Sequence, residues 1–468
     1  MTDAADRPPE TPIRRLLVAN RGEVAVRIIR TCRALGIETV LAASDPDRAS
    51  LGARLADRTL CIGPGPARSS YLSADALLSA AVLSGCDALH PGYGFLAEDP
   101  AFALRCAEEG VAFVGPSVAA LSLLGDKVAA RDAARRSGVP LLAGSPELST
   151  SSEAADWAGD VGYPLLLKAT HGGGGRGMRH VESEDALHAS FDPARAEALA
   201  TFGHGGLYLE RFVAAARHVE VQVAGDGRDV VHLGDRDCSV QRRHQKLVEE
   251  APAPMLSPSL QADVRHAAVR LAVATGYDNI GTVEFLVEPA SGEYYFLEVN
   301  PRLQVEHGVT ELVTGVDLVA LQIVLTETRR LPLAQSDVQI TGCAIECRIN
   351  AEDPERGFAP CPGTISTWAL PHLLDVRVDT HAFAGYEVPP FYDSLIAKVM
   401  SRGADRDRAI DAMVAALRRL VVEGIDTTAP LAREIVASHD FRNCRVSTVW
   451  LDRLLADRPI PGARPPAC

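Results

Sequence analysis

The period of apolar and polar positions changes several times along the chain, and each change marks an element. The apolar run at 15–19, the polar segment Asn20-Arg21-Gly22-Glu23 and the apolar-periodic stretch at 24–35 predict a strand, a tight loop and a helix that Gly36 stops. A second apolar run at 39–43 ends in Ser44-Asp45-Pro46-Asp47 and completes a βαβ opening like those of nucleotide-binding sheets. The glycine fingerprint of a dinucleotide site is missing, so the pattern does not imply NAD. Short strands are predicted at 87–90 and 111–114, followed from residue 121 by a helix carrying Lys127. Gly138-Val139-Pro140 then leads to a polar surface connection at 145–152. A smaller unit holds the strand at 165–169 and the loop His171-Gly172-Gly173-Gly174-Gly175-Arg176-Gly177, and alternating strands at 219–224 and 281–287 belong to a central sheet. After a boundary near 331–335, strands are predicted at 345–350, 375–378 and 395–400, with helices at the end and no internal repeat.

The glycine loop allows a phosphate to approach the backbone and can close as a lid, although a glycine cluster also serves as a plain flexible turn. Lys168 precedes it and Lys127 lies upstream; each is a phosphate partner or a solvated surface charge. Glu284 and Glu298 flank the turn-forming segment Pro289-Ala290-Ser291-Gly292. A five-residue loop pairing Glu288 with Tyr294 would set Glu284 opposite Glu298. Like charges so opposed are unfavourable. They imply a shared proton or a hard cation, with Asn300 as a third oxygen ligand, unless both face solvent on an edge hairpin; oxygen ligands favour magnesium or manganese. Glu298, Asn300, Arg302, Gln304 and Glu306 recur every second residue, so an extended backbone would present all five on one side. Arg302 can grip a small carboxylate-like anion with two parallel hydrogen bonds, leaving Glu306 as a nearby base. The basic stretch from Arg236 to Lys246 can be a solvated charge run, and its proline-punctuated continuation from Glu249 to Pro254 reads as an ordered loop rather than a surface helix.

At 468 residues the chain exceeds one hydrophobic core and should form two to four units. A net charge of -14 argues against a nucleic-acid backbone as partner, so anionic substrates need local basic clusters. The ten scattered cysteines lack metal or redox spacing and read as reduced thiols of a cytoplasmic protein. Residues 1–12 read as a disordered tail rather than a signal, and no apolar stretch approaches the roughly 18 residues of a spanning helix.

At these residues the sequence resembles the biotin carboxylase family, including the corresponding components of acetyl-CoA, propionyl-CoA and pyruvate carboxylases. The resemblance spans nearly the whole chain. It includes Ala19-Asn20-Arg21-Gly22-Glu23, His90-Pro91-Gly92-Tyr93-Gly94-Phe95-Leu96, Gly125-Asp126-Lys127, the glycine loop, Arg236 through Pro254, Glu298 through His307, Glu346 through Pro354 and Tyr392-Asp393-Ser394. It implies a multidomain chain of α/β and α+β units. These are a Rossmann-like parallel sheet at 13–125, an ATP-grasp domain at 126–330 with a mobile glycine-loop lid at about 140–206, and a biotin carboxylase C-terminal domain at 340–456.

Carried over residue by residue, the resemblance makes Lys127, Lys168, Gly174, Gly175, His218, Gln241 and His244 contacts of ATP, with Glu210, Arg211 and Val213 at the adenine. Glu284, Glu298 and Asn300 match the metal positions. Lys246, Arg302, Gln304 and Val305 match the bicarbonate pocket, Glu306 the base and Arg348 the biotin-oxygen contact. The implied cofactors are ATP, Mg2+ or Mn2+, and biotin supplied on a carrier protein. The implied partners are that carrier, a carboxyltransferase subunit and a second copy of the chain, with no nucleic acid or membrane. No Met-Lys-Met biotinylation motif follows Asp452, so biotin is expected from a partner. His171 replaces a glycine of the common pattern, Arg211 a lysine and Gly308 a proline. Two competing readings are an ATP-grasp ligase that passes activated bicarbonate or carboxylate to an amine, and a silent nucleotide-binding subunit. The Arg348 motif and third domain oppose the first, and the retained Lys246, Glu284, Glu298, Arg302, Glu306 and Arg348 oppose the second.

Overall fold

The computed structural model describes residues 12–456 apart from 171–177, 214–215 and 289. The tail expected at 1–12 thus lies outside the described residues except for Pro12, as does the glycine loop with Gly174 and Gly175.

Strands β1 (Arg15–Val18), β2 (Glu38–Ala43), β3 (Arg58–Cys61), β4 (Ala88–His90) and β5 (Ala112–Phe113) form a parallel sheet in the order β3-β2-β1-β4-β5. The short buried runs of β1, β2 and β4 suit strands covered on both faces, and helix α1 (Gly22–Leu35) provides part of that cover. The chain changes direction across the sheet between β1 and β4, which opens a crevice at their carboxyl ends. Asn20 laces the crevice shut at its base by donating to the carbonyls of Pro91 and Tyr93 at 2.6 and 2.7 Å. This fixes Arg21, Glu23 and Tyr93 on one wall of the central cleft.

The helix expected to carry Lys127 is two helices, α2 (Val118–Gly125) and α3 (Lys127–Arg136). Asp126 breaks the path and caps α3 through the Ala129 amide, making Lys127 the first helical residue. Beyond it, β6 (Leu165–Ala169), β7 (Arg179–Val181) and β8 (Leu207–Arg211) form a small antiparallel sheet, backed by α4 (Ser151–Val161) and α5 (Glu184–Phe202). Alternation along β6 buries Leu165, Leu167 and Ala169 in this unit's own core and turns Leu166 and Lys168 to the cleft.

The central sheet is antiparallel and eight-stranded. It uses β9 (Arg217–Asp226), β10 (Val230–Arg242), β11 (Gln245–Ala251), β12 (Asp278–Glu288), β13 (Glu293–Asn300), β14 (Cys343–Asn350), β15 (Val376–Thr380) and β16 (Leu395–Gly403). The spatial order is β13-β12-β9-β10-β11-β14-β16-β15, so the segment after residue 340 adds three strands to the same sheet. Cys347, Ile349, Ala397 and Val399 pack with Ile410, Met413 and Leu417 of helix α7 (Arg406–Arg419) in one core. The intervening Arg348 and Lys398 project from the other face.

Two expectations are corrected here. The basic run from Arg236 to Lys246, read as a solvated charge run, and the first residues of its loop-like continuation at 249–251 form the hairpin of β10 and β11, closed by Arg243 and His244 at φ 46° and 67°. Two successive positive φ values make a turn that usually declares itself through Asn or Gly, and neither is present. The extended run expected through Glu306 ends at Asn300, because Pro301 cannot donate to a ladder and the chain turns into helix α6 (His307–Thr314).

Candidate active site

The three units face one cleft of about 1250 Å³, and every described residue singled out from the sequence lines it. At one end, Lys168 donates to Oε2 of Glu210, while Arg131 donates to Oε1 at 2.8 Å. Burial alone would lower the Lys168 pKa, but Glu210 outweighs it and keeps the ammonium charged. Lys127 lines the same wall from the first turn of α3. Arg211 donates to the Tyr295 hydroxyl at 2.7 Å, with its guanidinium 5.2 Å from that ring's centroid. Val213 is buried beside Leu142 and Ala216. Gln241 stands opposite Lys246 in the β10–β11 register, and His244 projects from the turn, where burial and Lys168 lower its pKa.

At the other end, buried carboxylates converge on Lys246. Its Nζ donates to Glu220 at 2.7 Å, Glu284 at 2.9 Å and Glu306 at 2.7 Å. Burial opposes the charge on Lys246, but the three acids hold its pKa well above the usual lysine value. Arg348 donates Nε to Glu249 at 2.6 Å and NH2 to the second Glu306 oxygen at 2.9 Å. Burial would raise the Glu306 pKa, yet Lys246, Arg348 and Arg236 together hold it below the usual carboxylate range. Arg302 donates to Glu98, to Asn300 Oδ1 and to the Leu303 carbonyl. Two of its five N–H donors therefore remain for an anion. The Val305 carbonyl accepts from Lys398 at 2.6 Å.

Glu284 and Glu298 are direct cross-strand partners, as expected, but by a different route. The turn end pairs Glu288 with Glu293, and a bulge at Leu297 restores the opposition further along. Glu284 accepts Lys246, Asn300 and Gln304 on Oε1 and pairs with His218 at 2.9 Å through Oε2. Among the described residues no hydrogen-bond donor reaches Glu298, whose pKa is raised by burial and then by Glu284. This donor set fits a hard divalent cation, which would relieve the repulsion. Asn300 fits as a ligand only if it shares the Oδ1 that now accepts from Arg302. A neighbouring set, His218, Glu220 and Glu284, already carries a cation, because Lys246 bonds both of its carboxylates.

Sequence reasoning missed Arg131, Glu220 and Glu249 as site residues and counted Arg236 only within a basic run. Arg236 is fully buried, and all five of its N–H donors are used, on Glu220, Gln222, Thr282, Thr310 and Gln304. It therefore orients Gln304 and, through Glu220, Lys246. The signal was available in β9, where His218, Glu220 and Gln222 alternate with Val219, Val221 and Val223 on a strand read as central.

Gly308, the second residue of α6, explains one departure from the common pattern. A Cβ there would overlap the Met400 sulfur and come within 3.3 Å of Glu346 Oε2, so Met400 fills the space that a proline ring would take. Gly308→Pro is expected to destabilise the protein by about 1–3 kcal/mol through overpacking. Urea unfolding of Gly308→Pro, Met400→Ala and the double variant checks this, and a coupling that recovers part of the loss is expected.

Comparison with known proteins agrees with this geometry. Three family profiles match in order: the biotin carboxylase N-terminal domain over 12–121, the ATP-binding domain of the carbamoyl-phosphate synthase L chain over 126–334, and the biotin carboxylase C-terminal domain over 346–453. Biotin carboxylase 1 of Bacillus subtilis is 47% identical over 442 residues, covering 94% of this chain and 98% of its own. A crystal structure of a biotin carboxylase–βγ-ATP complex from Campylobacter jejuni superposes with a TM-score of 0.91 at 42% identity, covering 94% of this chain and 99% of that one. The biotin carboxylase domain dimer of the Hydrogenobacter thermophilus 2-oxoglutarate carboxylase, solved with MgADP, ADP and bicarbonate, also gives 0.91 at 42% identity, over 96% and 100%. With these motifs, this sheet and this cleft, the chain belongs to the biotin carboxylase family.

Proposed function

We propose that the chain carboxylates biotin carried by a separate protein, using ATP and bicarbonate, as the first half-reaction of an acyl-CoA carboxylase. The observation that carries this reading is the knot of Lys246, Glu306 and Arg348, two cations sharing one buried carboxylate beside Glu298, the cross-strand partner of Glu284 that no donor among the described residues reaches. Lys127, Lys168, His218, Gln241 and His244 take the phosphates and ribose of ATP, with Glu210, Arg211 and Val213 at the base. Glu284, Glu298 and Asn300 hold magnesium or manganese, which when bound neutralises phosphate charge. Arg302, Gln304, Val305 and Lys246 receive bicarbonate.

Glu306 takes the bicarbonate proton, and the freed oxygen attacks the γ-phosphorus while ADP leaves, giving carboxyphosphate. So firmly paired a carboxylate is a weak base. Each donor that Lys246 or Arg348 turns to a substrate oxygen withdraws stabilisation and raises its basicity. Carboxyphosphate then breaks into CO2 and phosphate. That phosphate removes the ureido proton of biotin, Arg348 offsets the charge on the ureido oxygen, and the nitrogen adds to CO2. We further propose a homodimer, acting in the cytoplasm with a biotin carrier and a carboxyltransferase subunit. The dimeric Hydrogenobacter relative supports the first point. Consistent with the second, no single helix among the described residues is long and apolar enough to cross a membrane.

The route has an isotopic signature. Turnover of 18O-labelled bicarbonate is expected to leave one labelled oxygen in the inorganic phosphate, read by mass spectrometry. Unlabelled phosphate during biotin-dependent turnover would exclude attack by bicarbonate oxygen.

A further inference from the structure

The segment from Pro301 to Glu306 carries much of the proposed chemistry yet belongs to no strand or helix. Arg302 and His307 donate their amides to carbonyls of the same stretch, Asn300 and Gln304. Among the described residues, the bond from Lys398 Nζ to the Val305 carbonyl is its only main-chain hydrogen bond to a distant element. We propose that Lys398 is a positioning residue that sets the Arg302–Glu306 segment through its hold on the Val305 carbonyl.

Lys398 is fully buried on β16, and its Nζ lies 3.3 Å from Glu23 Oε1 at the start of α1. Tyr93, beside the β1–β4 crevice, donates its hydroxyl to the same Glu23 oxygen. The clamp therefore runs from the parallel sheet through Tyr93, Glu23 and Lys398 to Val305. In the sheet register Lys398 stands opposite both Arg348 and Asp379, so its side chain shares a face with the arginine that holds Glu306. Two neighbouring bonds, Lys398 to Val305 and Arg348 to Glu306, thus set the main chain and the side chain of one short stretch.

Stability alone is a poor reason for the lysine. Burying an ion pair is costly, and replacing both of its partners by well-packed apolar side chains is often neutral or stabilising. Nearby Glu346, also fully buried, has neither carboxylate oxygen hydrogen-bonded, so the layer is not optimised as an ion-pair network. What an apolar layer would lack is the directed bond to Val305.

The test is amide hydrogen exchange of the full chain with Lys398→Met and Lys398→Arg. In Lys398→Met, exchange across 302–307 is expected to rise about tenfold while the strands of the central sheet keep their protection. Lys398→Arg, which can still reach the carbonyl, is expected to restore most of it. Unchanged exchange at 302–307, or an even loss throughout the molecule, would overturn the proposal. Should Lys398→Met not fold, Glu23→Gln removes the charge that holds the lysine, and the same local rise is expected. The consequence for turnover rests on the function proposed above: KM for bicarbonate rises and kcat falls in Lys398→Met, while KM for ATP stays constant. An inactive wild-type chain would reject that function and leave the exchange result to decide the role of Lys398.

Discussion

Glu306→Gln is expected to lower bicarbonate-dependent ATP turnover by about 100- to 10,000-fold, the usual contribution of a general base, while ATP still binds. The substitution separates chemistry from folding because neither cation is orphaned by it. Lys246 keeps Glu220 and Glu284, and Arg348 keeps Glu249. The amide matches the carboxylate in shape and cannot accept the bicarbonate proton. Steady-state kinetics with a separate nucleotide-binding measurement checks both halves, and near-normal turnover would remove Glu306 from the role of base.

Lys246→Met should fail differently, losing stability as well as activity. The ammonium is the shared partner of three buried acids, so its removal leaves Glu220, Glu284 and Glu306 facing one another with Arg236, His218 and Arg348 as the remaining cations. Breaking a buried pair by deleting one partner typically costs about 3–5 kcal/mol, a large share of the stability of a domain. Denaturant unfolding should show a marked drop in midpoint, with bicarbonate-dependent turnover undetectable. A folded variant with wild-type stability would mean that solvent already screens these carboxylates.

Much of this arrangement was legible in the sequence because apolar runs report burial directly. The runs at β1, β2, β6, β9, β12 and β16 mark strands, and the opposition of Glu284 and Glu298 is reached from the sequence through a Glu288–Tyr294 pairing that the structure replaces with Glu288–Glu293 and a bulge. The bulge at Leu297 was not legible, since a single extra residue leaves no compositional trace. Nor was the Arg243–His244 turn, whose two residues adopt positive φ without being Asn or Gly. Arg236, Glu220 and Glu249 were hidden for another reason. A buried polar face alternates with apolar residues just as a solvated face does, and only the neighbouring strands reveal that these charges meet one another instead of water. The family motifs supplied roles for Lys246, Arg302 and Arg348, but the partners that hold those side chains come from strands far apart in sequence.

The most direct test of the central claim is ATP hydrolysis by the purified chain with magnesium and 14C-bicarbonate, measured with and without biotin, free or on a carrier protein. The account predicts hydrolysis that depends on bicarbonate, is stimulated by biotin and yields labelled carboxybiotin. Hydrolysis indifferent to biotin, with no labelled product even on the carrier, would contradict it.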